Sequence, residues 1–85
     1  MNLTLDIPDY KEFQSVRTIW EEGFTICAQI DQGQVIIKAD QAGLVSLARH
    51  LLTLAQKDVP TGSHIHYDQD NSLEDGSCEI IIEKM

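Results

Sequence analysis

The stretch Asp40-Gln41-Ala42-Gly43-Leu44-Val45-Ser46-Leu47-Ala48-Arg49-His50-Leu51-Leu52-Thr53-Leu54-Ala55-Gln56-Lys57 decides how this chain folds. At about 100° per residue, Leu44, Val45, Leu47, Ala48, Leu51, Leu52, Leu54 and Ala55 share one half of a helix circumference, and Ser46, Arg49, His50, Thr53, Gln56 and Lys57 share the other. Asp40 is a good N-cap, and Val59-Pro60 with Gly62 beyond is a stop signal. The pattern predicts a helix over 40–57 with its apolar half against a core and its polar half in water.

Upstream, Phe24, Ile26, Ala28 and Ile30 alternate with Thr25, Cys27 and Gln29, and Asp31-Gln32-Gly33-Gln34 leads into Val35-Ile36-Ile37-Lys38-Ala39. That is the pattern of a β-hairpin. Downstream, Ser63 to Asp68 alternates Ile65 and Tyr67 with His64, His66 and Asp68. Cys78 to Glu83 sets Cys78, Ile80 and Ile82 against Glu79, Ile81 and Glu83, so a second antiparallel pair is expected. Asn2 to Ile7 has Leu3, Leu5 and Ile7 in phase and is read as a fifth strand ended by Pro8. Between Asp9 and Gly23, Tyr10, Phe13, Val16 and Trp20 fit a helical stripe while Ser15 to Trp20 has β-branched character, which leaves loop or short helix open. The expected fold is α+β, an antiparallel sheet of four or five strands with one amphipathic helix across one face. In that packing Leu47, Leu51 and Ala55 lie over Phe24, Ile26, Ile37, Ile65 and Ile80.

At 85 residues the chain has room for one core, so residues 1–85 are read as a single domain. Six Lys and Arg against fourteen Asp and Glu give a formal net charge of −8. Binding to nucleic acid and to anionic membrane surfaces rests on Lys and Arg, so both are excluded as expectations, and a charged partner should be basic. No apolar run is long enough to span a bilayer, and Met1 to Asp6 lacks the basic and apolar regions of a leader, so a cytoplasmic location is expected. Cys27 and Cys78 lack C-x-x-C spacing and fall on opposite strand faces, which implies free thiols.

No catalytic constellation emerges. Ser46 and His50 lie one turn apart, yet no nucleophile elbow or oxyanion-hole glycine run accompanies them. His64, His66 and Asp68 share one face of a predicted strand, but three ligands from one strand converge poorly, and the neighbouring strand offers only Glu79 and Glu83. No metal or other cofactor is expected. From Asp58 to Met85 there are seven acidic residues and one basic residue, Lys84, a local balance of −6. The loop Gln69 to Ser77 lies within this region, and loops on rigid scaffolds carry binding residues. Acidic loops also simply keep small proteins soluble, and composition alone favours that role for this one; with no catalytic or nucleic-acid-binding constellation, protein binding is the expected activity of the chain. Asp68, Asp70, Glu74 and Asp75 are the candidate partner-binding residues, with His64, His66 and Tyr67 beside them.

The run Ala42-Gly43-Leu44-Val45-Ser46-Leu47-Ala48-Arg49-His50-Leu51-Leu52-Thr53-Leu54-Ala55-Gln56 is followed by Val59-Pro60, Gly62, His64-Ile65-His66-Tyr67-Asp68, Asn71-Ser72-Leu73-Glu74-Asp75-Gly76-Ser77 and Glu79-Ile80-Ile81-Ile82-Glu83-Lys84. Together these resemble a family of small bacterial immunity proteins of polymorphic toxin systems, immunity protein family thirty-two. The resemblance covers roughly Phe24 to Met85. It implies binding and neutralisation of a cognate bacterial toxin and carries no catalytic residues with it. A self-associating structural or regulatory module, a homodimer joined at a sheet edge, is the alternative.

Overall fold

The computed structural model describes residues 1–12 and 15–85. Phe13, one member of the predicted N-terminal stripe, lies outside the described residues. The elements are β1 (Ile26–Asp31), β2 (Gln34–Ala39), α1 (Gln41–Leu54), β3 (His64–Tyr67) and β4 (Ile80–Glu83).

The first hairpin forms as predicted. Gln32 and Gly33 have φ of 51° and 77°, the paired left-handed geometry of a two-residue turn whose twist matches that of the strands. Asp31 pairs with Gln34, and the register runs back to Ile26 opposite Ala39. One face therefore carries Ile26, Ala28 and Ile30 from β1 with Ala39, Ile37 and Val35 from β2. Its base is buried at Ile26 and Ala28, whereas Ile30, Val35 and Ile37 near the turn are exposed.

Asp40 then caps α1. Its Oδ1 accepts from the Gly43 N–H at 2.7 Å and from the Thr25 N–H at 3.1 Å, tying the helix start to the hairpin base. These bonds hold the Asp40 carboxyl below its ordinary value. A Cβ on Gly43 would lie 2.8 Å from the Thr25 carbonyl oxygen and 2.9 Å from Ile26 Cγ1, so glycine permits this approach. The helix stops at Leu54, short of the predicted Lys57, and Lys84 Nζ donates to the Gln56 carbonyl just beyond its end.

In the second hairpin Ile65 pairs with Ile82 and Tyr67 with Ile80 on the inner face, while His64 faces Glu83 and His66 faces Ile81 on the outer one. The core gathers Ile26, Ala28, Leu54, Val59, Ile65, Tyr67 and Leu73, with Tyr10, Val16, Trp20, Phe24, Leu47, Cys78, Ile80 and Ile82 packed around them.

Two expectations are overturned. The strands form two separate two-stranded sheets, not one sheet of four or five. Segment 74–78 does run along β1, with the Glu74 N–H on the Ile26 carbonyl and the Cys78 N–H on the Ala28 carbonyl, each at 2.9 Å. Four residues of the loop advance against two of β1, however, so no regular ladder forms, and Ser77 Oγ accepts the Ala28 N–H instead of a backbone carbonyl. Asn2 to Ile7 makes no strand.

The helix is also turned the other way. Ser46 and His50 are 0% exposed and Thr53 is buried with them, while Leu44, Leu51 and Leu52 are 56%, 48% and 50% exposed. The cause is the irregular segment before β1. An irregular backbone must find hydrogen-bond partners outside a ladder, and the polar stripe of α1 supplies them. Arg49 Nη1 donates to the Asp6 carbonyl, Gln56 Nε2 to the Pro8 carbonyl, and Ser46 Oγ accepts from the Glu21 N–H, all at 2.8 Å. Gln56 Oε1 accepts the Tyr10 N–H at 3.1 Å. The polar face is a comb that holds a backbone, and the leucines opposite it are left outside. Leu51, Ala55 and Ile37 therefore leave the predicted core, whereas Ile26 and Ile65 are buried and Leu47, Phe24 and Ile80 pack at its margin.

Candidate functional site

The acidic loop between β3 and β4 is built on Asp68. Its Oδ1 accepts the N–H groups of Asp70 and Asn71, each at 2.9 Å, and its carbonyl accepts those of Ser72 and Leu73 at 3.0 and 2.8 Å. Asn71 returns the bond, its Oδ1 accepting the Asp68 N–H at 3.1 Å and its Nδ2 donating to the His66 carbonyl at 3.0 Å. Gln69 Oε1 accepts the Gly76 N–H at 3.1 Å across the loop. Leu73 is buried beneath it, and the Glu74 bond to Ile26 pins its far side to β1. An Asx turn, a buried leucine and a cross-loop amide thus hold a segment with no regular structure of its own.

Asp70, Glu74 and Asp75 project from this frame and are exposed; Asp68 is half-buried, and its oxygens serve the turn. His64 and His66 are exposed on the adjoining β3 face. Tyr67 is turned inward and is 1% exposed, so it stands apart from this surface.

His66 Nε2 lies 3.4 Å from Glu79 Oε2, a cross-strand pair. Ligand atoms of His66, Asp68 and Glu79 all fall within 4.8 Å of one another. Glu79 thus reaches the predicted strand face, while His64, on the same face, stands outside the cluster, its Nδ1 3.3 Å from the Gly62 carbonyl. An imidazole and two carboxylates are ligand types for a divalent cation. Here His66 and Glu79 are exposed and Asp68 already binds two N–H groups, so each also has an ordinary role in the strand pair or the turn.

Ser46 and His50 belong to the interior. His50 Nε2 lies 2.9 Å from the Ile19 carbonyl, which can only accept, so Nε2 carries the proton. Nδ1 then accepts from the Tyr67 hydroxyl at 2.8 Å. Trp20 meets the His50 ring edge-on at 4.4 Å and stacks on Phe24 at 4.3 Å. Burial, reinforced by the neighbouring Arg49 charge and opposed by the Ile19 bond, holds His50 below its ordinary value; burial pushes the Tyr67 phenol up to about 12. Ser46 Oγ donates to the Ala42 carbonyl and receives Glu21, leaving it no free proton for nucleophilic chemistry. Sequence reading missed this network. The signal for it was a stripe of hydrogen-bonding side chains at helical spacing together with a long upstream segment lacking a clear period.

No helix of the described residues is long and apolar enough to cross a membrane. Compared with known proteins, the chain finds no match among curated proteins or among solved structures. A family model described as immunity protein 32 does match, over residues 34–85, which takes in β2, α1, β3, the acidic loop and β4. That match spans more than half of the 85 residues and contains the whole acidic loop, and the chain belongs to the immunity protein 32 family.

Proposed function

We infer that this protein binds and neutralises a cognate bacterial toxin, and that the toxin is basic. The supporting observation is the braced loop that holds Asp70, Glu74 and Asp75 outward, because charges fixed before encounter lose little freedom on binding. Family membership points to a toxin as partner, and the local balance of −6 points to a basic surface on it. Asp70, Glu74 and Asp75 make the charged contacts, with His64 and His66 as hydrogen-bonding neighbours. Asp68 acts mainly by holding the loop. The protein acts by occupying its target, without chemistry of its own, in the cytoplasm of the producing cell.

Carboxylates at the rim of an interface steer encounter and act on association rate, while buried ones act on dissociation rate. Capture of the partner from lysate and its identification by mass spectrometry come first. The Asp70→Lys, Glu74→Lys variant should then bind that partner at least about tenfold more slowly at low salt, with a flatter salt dependence and an unchanged fold. Association equal to wild type across the salt range would reject the acidic loop as the docking surface.

A further inference from the structure

Among the described residues nothing pairs with the outer edge of β2, and Leu44, Leu51 and Leu52 on the outward face of α1 are exposed. In β1 the peptide groups of Ile26 and Ala28 point away from β2 and meet the 74–78 segment. By the antiparallel register their partners, Ala39 and Ile37, and then Val35 opposite Ile30, point their N–H and C=O groups away from β1 on the other side. Among the described residues nothing bonds to these groups. An open edge is usually blunted by charges, proline or a bulge; β2 carries only Lys38 and is regular throughout.

The adjoining helix face is equally bare. Leu44, Val45, Ala48, Leu51, Leu52 and Ala55 turn outward around Gln41, with no charge among them. Six aliphatic side chains on the first hairpin and the helix, Ile30 of β1, Val35 and Ile37 of β2, and Leu44, Leu51 and Leu52 of α1, are exposed, leaving on the order of 500 Å² of apolar surface, the upper range for a monomer. The chain as a whole exposes 6180 Å², against roughly 5,100 Å² for a compact monomer of 9.6 kDa. The irregular N-terminal segment shares in that excess of roughly 1,100 Å², and it exceeds the ~800 Å² per partner that a standard interface buries.

We propose that a second copy of this chain covers the β2 edge and the leucine face of α1, forming a two-fold symmetric dimer through an antiparallel β2–β2 pair. The occupant follows from the chemistry. A basic partner would look for carboxylates, and here Glu21, already paired with Arg49, and Glu22 only border the face at its Gln41–Val45 end; an antiparallel edge with outward groups at Val35, Ile37 and Ala39 is complementary to itself. Centred on Ile37, the pairing sets Val35 against Ala39 of the second copy and Ile36 against Lys38, so the lysines avoid each other. The two hairpins become one four-stranded sheet, and α1, docked against β2, brings its leucines toward the dyad. The acidic loops, joined to the opposite edge through β1, remain outside this contact.

Sedimentation equilibrium of the full chain over a concentration series tests this, with amide exchange read at Val35, Ile37 and Ala39. The expected result is a mass twice 9.6 kDa, with those three amides slowed by at least roughly tenfold relative to dilute protein. Ile37→Lys should give a monomer with an unchanged circular dichroism spectrum, and Ile37→Cys should oxidise to a cross-linked dimer. A wild type that stays at 9.6 kDa into the millimolar range, or a dimer whose three amides exchange freely, would overturn the proposal. So would protection of those amides only after a basic protein is added, which would give the face to that partner.

Discussion

His50 is the residue on which the interior turns. Its neutral ring donates to a carbonyl and accepts from Tyr67, and a second ring proton would turn Nδ1 into a donor and take from the Tyr67 O–H the acceptor it uses. The unfolded chain takes up that proton near pH 6.5, the folded chain only below it. The stabilisation is therefore present above about pH 6.5 and is lost as pH falls toward the lowered folded value, at a slope of at most about 1.4 kcal/mol per pH unit. Tyr67 sets the opposite limit: its stabilisation holds below about pH 10 and fades as pH rises toward about 12. Thermal melts from pH 7 to pH 5 should show a falling midpoint in the wild type, and His50→Gln should be less stable at pH 7 but flatter across that range. A wild-type midpoint that is constant below pH 6.5 would place His50 outside the core. Neither role is legible in the sequence, because a lone histidine on the polar side of a helix reads as solvated until its partners, Ile19 and Tyr67, are known.

At the level of elements, periodicity located the hairpin, the helix and its cap, because turn chemistry and N-capping are local. It could not say which helix face is buried. Amphipathicity divides a circumference into two halves, and the usual inference that the apolar half goes inward assumes that the polar half has only water to bond. Here Ser46, Arg49, His50 and Gln56 bond to residues 25 to 48 positions away, a pairing no window statistic contains. The sheet count failed for a related reason, since the mismatch between segment 74–78 and β1 depends on a loop whose brace is built from Asp68 and Asn71. The reversed helix makes a sharp contrast testable. Leu54→Ala should cost about 2 to 5 kcal/mol of unfolding free energy, and Leu51→Ala, measured at high dilution, under about 1 kcal/mol. Equal losses in denaturant titrations would return Leu51 to the core. Gly43→Ala should destabilise despite alanine's higher helix propensity, because its methyl meets backbone at the Thr25 carbonyl.

Across the whole molecule, the surfaces divide the work: a braced acidic loop on one side, an open edge and leucine face on the other, and between them an irregular arm threaded across the helix. The hydrogen bonds that hold the arm run largely to its main chain. The carbonyls of Asp6, Pro8 and Ile19 and the N–H groups of Tyr10 and Glu21 are what the comb grips, while Tyr10, Val16 and Trp20 pack on the core and Glu21 pairs with Arg49 at 2.7 Å. Substituting exposed arm residues such as Thr4, Asp9 and Lys11 by serine should leave the melting midpoint nearly unchanged, within about 0.5 kcal/mol each, whereas Gln56→Ala should cost about 1 to 3 kcal/mol. A scan in which the arm substitutions cost as much as Gln56→Ala would mean that arm side chains, not its backbone, make the hold. At the exposed positions a grip of this kind reads the path of a chain and not its letters. The family match begins at residue 34, after the arm, yet includes every tooth of the comb. Evolution can therefore rewrite the exposed positions of the arm, those around Tyr10, Val16 and Trp20, without loosening it, which makes them the place where lineages can diverge in sequence while keeping one shape.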